Sequence, residues 1–452
     1  MRSTMVEKVD VAVIGGGPAG MTAASRIKRL KPELRVAVFE RSGYVSYAPC
    51  GLPYYLGGLV DSLEHLVHYP VRVFTEERGI EVYTRTEVVE VGDGYLRARD
   101  ASGERTYEWG KLLIATGARP KVPPVEGVDL EGVFTLRVLE DGEKARRYLE
   151  KATRVAVVGG GYIGLEVAEN LVRAGKTVLL FEVLDHVFPA VDPDMALLVE
   201  KELARNGVEL HLGEGLKGIH GRDRVESLET TKGEYKVDAV FIATGVAPET
   251  RLAEKLGVKK GSTGALSVDK SMRTNVDDVY AAGDVAEALN LVTGKNDWFP
   301  LAPVANKMGY VAGAAMAGLK AEFPGAVGTS ITKVFGLEVG RAGLTTARAQ
   351  QEGFDPVSVM INANSKASYY PGSSAMSVKL IADRRTGQLL GGQIIGGDGV
   401  LARLNSLAVL LSFRARVEDA FFSDLGYAPP FSPVWDPIVT AARVLLGKIR
   451  EA

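Results

Sequence analysis

Cys50 is the only cysteine in a chain of 452 residues, and it stands in the stretch SYAPCGLPYY, residues 46–55. A solitary thiol cannot close an internal disulfide. Its redox chemistry is confined to a sulfenic acid or to a mixed disulfide with an external thiol. Such chemistry needs an electron donor beside the sulfur. Two further residue sets have the spacing to hold one: Gly15-x-Gly17-x-x-Gly20 followed by Glu40, and Gly159-x-Gly161-x-x-Gly164 followed by Glu182. In this pattern the first glycine allows a tight strand-to-helix turn. The second lets the backbone approach a pyrophosphate, and the third lets helix and strand pack closely. The helix N-terminus offers amide groups to the phosphates. The later carboxylate accepts hydrogen bonds from a ribose.

The elements that must position these residues are legible around them. VDVAVIGGGPAG places an apolar strand (residues 9–14) before the first turn and a helical pattern after it, and LRVAVFE forms a second strand ending at Glu40. TRVAVVGGGYIGLEVAENLVRAGKTVLLFE repeats the unit and ends at Glu182. A second pair of repeats, LLIATGARP (112–120) and VFIATGVAP (240–248), puts small-residue turns after apolar strands, where a backbone can approach a nucleotide. VYAAGDVAEA places Asp284 after Gly283 at the end of a further strand. Strands and helices alternate again near the C-terminus, with a hairpin turn expected at Thr386 and Gly387.

Hydrophobic residues make up 46% of the chain, charged residues 24%, and the formal net charge is −2. This is an ordinary globular balance that gives no electrostatic reason to bind nucleic acid or an anionic membrane. No apolar run approaches the roughly 20 residues that span a bilayer. The N-terminus MRSTMVEKVD lacks the apolar stretch of a signal peptide. With one cysteine nothing argues for secretion, and a cytoplasmic location is expected. No metal site is expected.

In combination these motifs resemble the glutathione reductase-like superfamily of two-dinucleotide flavoproteins, over essentially the whole chain. The resemblance implies an α/β fold with two Rossmann-like dinucleotide-binding domains, one for FAD and one for NAD, plus a C-terminal α+β dimerisation domain. The expected division is 1–120 and 255–325 for FAD, 121–254 for NAD(P)H and 326–452 for dimerisation. By the same resemblance FAD contacts fall on Gly15, Gly17, Pro18, Ala19, Gly20, Glu40, Arg41, Val88, Ala115, Thr116, Gly117 and Asp284. Nicotinamide nucleotide contacts fall on Gly159, Gly161, Tyr162, Ile163, Gly164, Glu182 and Gly245. Glu182 favours NADH over NADPH, because a carboxylate pairs with a 2′-hydroxyl and repels a 2′-phosphate, and the next residues, Val183-Leu184-Asp185-His186, contain no arginine. Tyr162 is expected to cover the flavin until the nicotinamide displaces it.

Most disulfide reductases of the superfamily carry two cysteines separated by four residues; here Tyr55 occupies the second position. A thiol at a helix start beside an oxidised flavin is expected to have a lowered pKa. APCGLPYYLGG, SYYPG (368–372) and YAPPFSP (427–433) resemble the single-cysteine coenzyme A-disulfide reductase group with its NADH oxidase and persulfide reductase relatives. The related peroxidases and water-forming oxidases place a histidine where this chain has Pro18. The resemblance implies a homodimer in which Tyr369 and Tyr427 reach the partner subunit's cysteine. No histidine follows His220, so tyrosine hydroxyls are the acid candidates. Coenzyme A, as substrate or bound ligand, would be contacted by Thr22, Arg26, Arg29, Ser46 and Arg78. Pro49 and Trp435 depart from the asparagine and lysine common at those places in the group, which favours smaller persulfides, polysulfide or oxygen. The chain stops at Ala452, with no rhodanese-like domain expected. The function expected is NADH-driven reduction of coenzyme A disulfide or a related persulfide or polysulfide through Cys50. The alternatives are an NADH oxidase reducing oxygen at the flavin and a non-catalytic NADH-sensing flavoprotein.

Overall fold

A computed structural model of the protein describes residues 6–450. Three sheets organise the chain. In the first, strand Val6–Ile14 lies between Val36–Phe39 and Gly103–Ile114, both parallel to it. Glu81–Tyr83 extends one side, and Val279–Ala281 pairs with the end of Gly103–Ile114. The strand centres are apolar runs rather than alternating patterns because helices and loops cover both faces. Val11, Ala12, Val13 and Ile14 are all buried. Helix Pro18–Leu30 follows the turn, with Pro18 in its first turn, where a missing N–H costs nothing.

The second sheet runs Glu209–Leu212, Thr177–Glu182, Arg154–Val158, Ala239–Ile242, Val133–Phe134, all parallel. The third is antiparallel, in the order Ser330–Val334, Leu337–Gly343, Leu389–Gly396, Ala375–Asp383, Pro356–Asn364. Helices Val400–Ser412 and Pro437–Arg450 pack against it through Leu404, Leu407, Leu411, Ile438 and Leu445, all fully buried. Its hairpin turns where expected: Gly387 has φ +72°, and the Thr386 hydroxyl donates to Asp383 at 2.8 Å.

Register decides which turns meet. Ile14 is level with Phe39 and with Ile114, and Ile114 with Ala281. Gly15, Glu40, Ala115 and the Gly283–Asp284 pair therefore emerge at one edge. In the second sheet Val158 is level with Phe181 and Ile242, which gathers Gly159, Glu182 and Ala243 likewise. The carboxyl ends of parallel strands are where such sheets bind ligands. The chain crosses between the two sheets at Ala118–Pro120 and Val246–Pro248, and these crossings pair antiparallel. Among the described residues no helix is long and apolar enough to cross a membrane.

Candidate active site

Both glycine turns open into one continuous cleft of about 2150 Å³. Each turn is built for a close-lying nucleotide. Gly15 and Gly159 have φ of +109° and +107°, and a Cβ on either would collide with the carbonyl oxygen of Ala115 or Ala243. A Cβ on Gly20 or Gly164 would strike the carbonyl oxygen of the first glycine of its own motif. At Gly17 and Gly161 nothing lies within 4 Å of an added Cβ. The middle glycines thus face the open cleft, and the outer two close the turn. This cradle, repeated twice, fits two dinucleotides.

The remaining residues expected at the cofactors line the same cleft. Pro18, Ala19, Glu40, Arg41, Val88, Ala115, Thr116, Gly117 and Asp284 face it from the first unit. Tyr162, Ile163, Glu182 and Gly245 face it from the second. Gly20 and Gly164 sit behind the wall, each against its turn. Gly283 has φ +84°, and a Cβ there would press on Ala19, so the glycine lets Asp284 approach the start of the first helix. Burial pushes the Asp284 carboxyl up from its ordinary value, and Arg137 opposes the shift. The Tyr162 ring packs edge-on against Phe188, with ring centroids 4.6 Å apart, and its hydroxyl is hydrogen-bonded to Ser330 of the third sheet.

Cys50 opens into this cleft. It lies in the one-turn segment Pro49–Gly51, and the helix after it, Leu52–Leu56, has only five residues. Its thiol is pushed up, not down as a helix start predicts. Although the residue reaches the cleft, the walls crowd the sulfur enough that burial is the largest influence. The carboxylates of Glu166 and Asp284 add to it, outweighing Arg137 and a backbone hydrogen bond. A helix this short carries little dipole to set against them.

The residues expected at the substrate divide. Ser46 lines the cleft and holds a left-handed φ of +50°, with its N–H donating to Gly16 and its carbonyl accepting from His68. Thr22 donates to Asn306 at 3.0 Å, and the Arg26 guanidinium lies 4.4 Å over the Tyr310 ring. Arg78 donates to Ser25 at 2.9 Å and lies over Tyr69 and Phe74. Arg29 stands exposed on the next turn of the helix. Tyr369 and Tyr427 are not brought to the cleft of their own chain. They sit exposed on loops of the third sheet's unit, and the neighbouring Tyr427 phenol pushes the Tyr369 phenol up from its ordinary value.

Two cleft residues escaped the sequence reading. Arg137, in an irregular segment after strand Val133–Phe134, places its guanidinium 3.7 Å from Asp284. Nothing in its spacing marks it. Glu166 lies one turn after Tyr162 on helix Tyr162–Arg173 and accepts from Thr332 at 2.8 Å. Burial, reinforced by Glu169 and opposed by Thr332, pushes its carboxyl up to about 7. The sequence signal was an acidic residue among the apolar positions of VVGGGYIGLEVAEN.

Two dinucleotide cradles and a thiol in one cleft define a flavoprotein that passes electrons between a nicotinamide and sulfur. The family model for pyridine nucleotide-disulphide oxidoreductases matches residues 9–309, and that for the dimerisation domain of the same family matches residues 329–437. The chain belongs to this family, whose members are FAD-dependent and use NAD(P)H. Two relatives resemble it over nearly their whole length. The NAD(P)H sulfur oxidoreductase (CoA-dependent) of Pyrococcus abyssi is 47% identical over 448 residues, 98% of this chain and 100% of the relative. The NAD(P)H coenzyme A polysulfide/persulfide reductase of Pyrococcus horikoshii is 46% identical over 441 residues, 97% of this chain and 98% of the relative. Among solved structures, an NAD-dependent persulfide reductase from A. fulgidus superposes with a TM-score of 0.95 at 38% identity, covering 98% of this chain and 84% of that one.

Proposed function

We propose that the protein is a homodimeric NAD(P)H-dependent reductase of coenzyme A disulfide, or of a related persulfide or polysulfide, acting through Cys50. The observation that carries this reading is the single thiol opening into the cleft that holds both dinucleotide cradles. The names of the Pyrococcus relatives support the sulfur substrate. The division into 1–120 with 255–325, 121–254 and 326–452 belongs to the proposal. The antiparallel pairing of the two crossings supports it. A cytoplasmic location, the ordinary place for an unpaired thiol, belongs to the proposal too.

FAD, when bound, would supply the two-electron chemistry that links NADH to sulfur. The chain's own part follows from its groups. The thiolate of Cys50 attacks one sulfur of the substrate disulfide, forming a mixed disulfide and expelling the other half as a thiolate. The electron pair then cleaves the mixed disulfide, regenerating the Cys50 thiolate and releasing the second half. Each departing thiolate takes a proton, and the partner subunit's Tyr369 and Tyr427 are the donors proposed. Their exposure, away from the cleft of their own chain, supports a role across a dimer. Glu40 and Glu182 hold the riboses, Asp284 and Arg137 face the flavin side of the cleft, and Tyr162 covers the nicotinamide position. Ser46, Thr22, Arg26, Arg29 and Arg78 take the phosphates of coenzyme A.

The test is anaerobic turnover with NADH against coenzyme A disulfide, coenzyme A persulfide and polysulfide, with oxygen tried separately. Cys50→Ser is expected to abolish sulfur reduction while keeping FAD and its reduction by NADH. Full sulfur turnover by Cys50→Ser overturns the mechanism. Turnover with oxygen alone makes the protein an NADH oxidase, and turnover with no acceptor makes it a sensor.

A further inference from the structure

The two tyrosine loops have little regular structure, so something other than a ladder must orient them. Residues 365–374 carry Tyr369, and residues 427–436 carry Tyr427. A backbone hydrogen bond joins the loops, Ala367 N–H donating to the Pro429 carbonyl at 3.3 Å. Beneath them lies one charged side chain, Arg403, on helix Val400–Ser412. Its helix neighbours on the inner face, Val400, Leu404, Leu407 and Leu411, are all apolar and fully buried. Arg403 itself is only 5% exposed.

A buried guanidinium is costly unless its donors are satisfied. Here they are satisfied by the loops. Nη2 donates to the Ser365 carbonyl at 3.0 Å and to the Phe431 carbonyl at 3.1 Å. Nε donates to Asp436 Oδ2 at 3.0 Å, and Nη1 to the Gly399 carbonyl at 3.1 Å. Asp436 is itself held, accepting from the Ser432 hydroxyl at 3.2 Å and from Ile438 N–H at 2.8 Å. Gly399, with φ +75°, leaves space that a Cβ would take from the guanidinium. One planar fork thus joins the start of the first loop, the middle of the second and the carboxylate that ends it. A lysine, with a single compact ammonium, cannot span these acceptors.

We propose that Arg403 is a positioning residue for the sulfur half of the reaction. It sets the two loops in register, so that Tyr369 and Tyr427 are presented together to the partner subunit's cleft. This rests on the reading of those tyrosines as proton donors across the dimer. Arg403 touches neither cofactor cradle, so its effect should be confined to the steps that use the tyrosines.

The test uses the FAD-loaded protein with Arg403→Lys and with the Tyr369→Phe/Tyr427→Phe pair, singly and combined. Stopped-flow absorbance follows flavin reduction by NADH. It then follows reoxidation by whichever of coenzyme A disulfide, coenzyme A persulfide or polysulfide reoxidises the parent fastest. Arg403→Lys is expected to slow reoxidation about tenfold or more and to leave reduction within about twofold. In the tyrosine-free background it should slow reoxidation no further. Parent-like reoxidation in Arg403→Lys overturns the inference, and so does an equal slowing in both backgrounds, which would mark a structural clasp. If the tyrosine pair is replaced without loss, the tyrosine reading fails and this inference with it. If that replacement is slow while Arg403→Lys is not, only the role of Arg403 fails. Should Arg403→Lys not fold, Arg403→Met with Asp436→Asn removes both charges, keeps an acceptor for Ile438 N–H, and carries the same expectations.

Discussion

The carboxylate of Glu182 accepts a hydrogen bond from Gly160 N–H at 2.8 Å, and its other oxygen accepts from Leu184 N–H at 2.9 Å. Glu40 does the same in the first unit, with Gly16 at 2.8 Å and Ser42 at 2.7 Å. Each carboxylate ties its glycine turn to the end of the next strand and keeps lone pairs for ribose hydroxyls. A 2′-phosphate would meet the Glu182 charge instead. The kcat/KM for NADH is therefore expected to exceed that for NADPH by about ten- to a hundredfold, the equivalent of about 1–3 kcal/mol. Glu182→Gln keeps an acceptor for the turn and should narrow the ratio. Equal efficiencies in the parent would show that Glu182 serves the turn alone.

Glu166 gives a pH signature. Its folded-state pKa is raised, to about 7. The native state therefore favours its protonated form, and the stability linked to it is greatest below the unfolded carboxyl value of about 4.3 and falls as pH rises through about 7. Glu166→Gln should be more stable than the parent at pH 8, by up to about 4 kcal/mol for a shift of this size, and unfold at a higher temperature, with the gain fading toward pH 5. Because the Glu166 charge raises the Cys50 thiol, the same variant should lower the pH midpoint of Cys50 alkylation by iodoacetamide. An unmoved midpoint would mean that the two groups do not interact.

Lys379 is a buried link between the second and third sheets' units. Its ammonium lies 2.8 Å from Asp192 and 2.8 Å from Asp194, and Asp192 N–H donates to Gln393 at 2.8 Å. Burial pushes the Asp192 carboxyl up, but Lys379 and Thr346 outweigh it and hold it below its ordinary value. Lys379→Met leaves that carboxylate buried without a cation and should cost about 3–5 kcal/mol at neutral pH. The cost should shrink as pH falls below about 4, where Asp192 can protonate. A denaturation midpoint equal to the parent's at neutral pH would show the link to be idle.

Arg26 is held over Tyr310, and Arg78 against Ser25. If the first helix contacts coenzyme A phosphates, Arg26→Ala/Arg29→Ala should raise KM for coenzyme A disulfide about tenfold or more, as expected for lost charged hydrogen bonds. Flavin reduction by NADH should be untouched. An unchanged KM would remove this helix from the substrate site.

The sequence alone determined the two nucleotide cradles, the acids that end their second strands, the GD turn and the lone thiol, because each is encoded within about thirty consecutive residues. Local steric rules settle such patterns: a glycine that must take a positive φ, or an apolar run that must be covered on both faces. Tertiary structure alone decided what those pieces meet. Asp284 faces the first glycine turn only because Ala281 is level with Ile114 and Ile114 with Ile14. Arg137 enters the cleft from a segment whose spacing says nothing of it, and the acid among apolar positions at Glu166 does not say what it faces. The Cys50 thiol moves up rather than down, because local sequence shows the helix start but not the walls and carboxylates around the sulfur. Arg403 reads as one charge on an otherwise apolar helix, and its role emerges only when Ser365, Phe431 and Asp436 are folded onto it. Charge and burial act through space, and the partners that set them lie tens to hundreds of residues away along the chain.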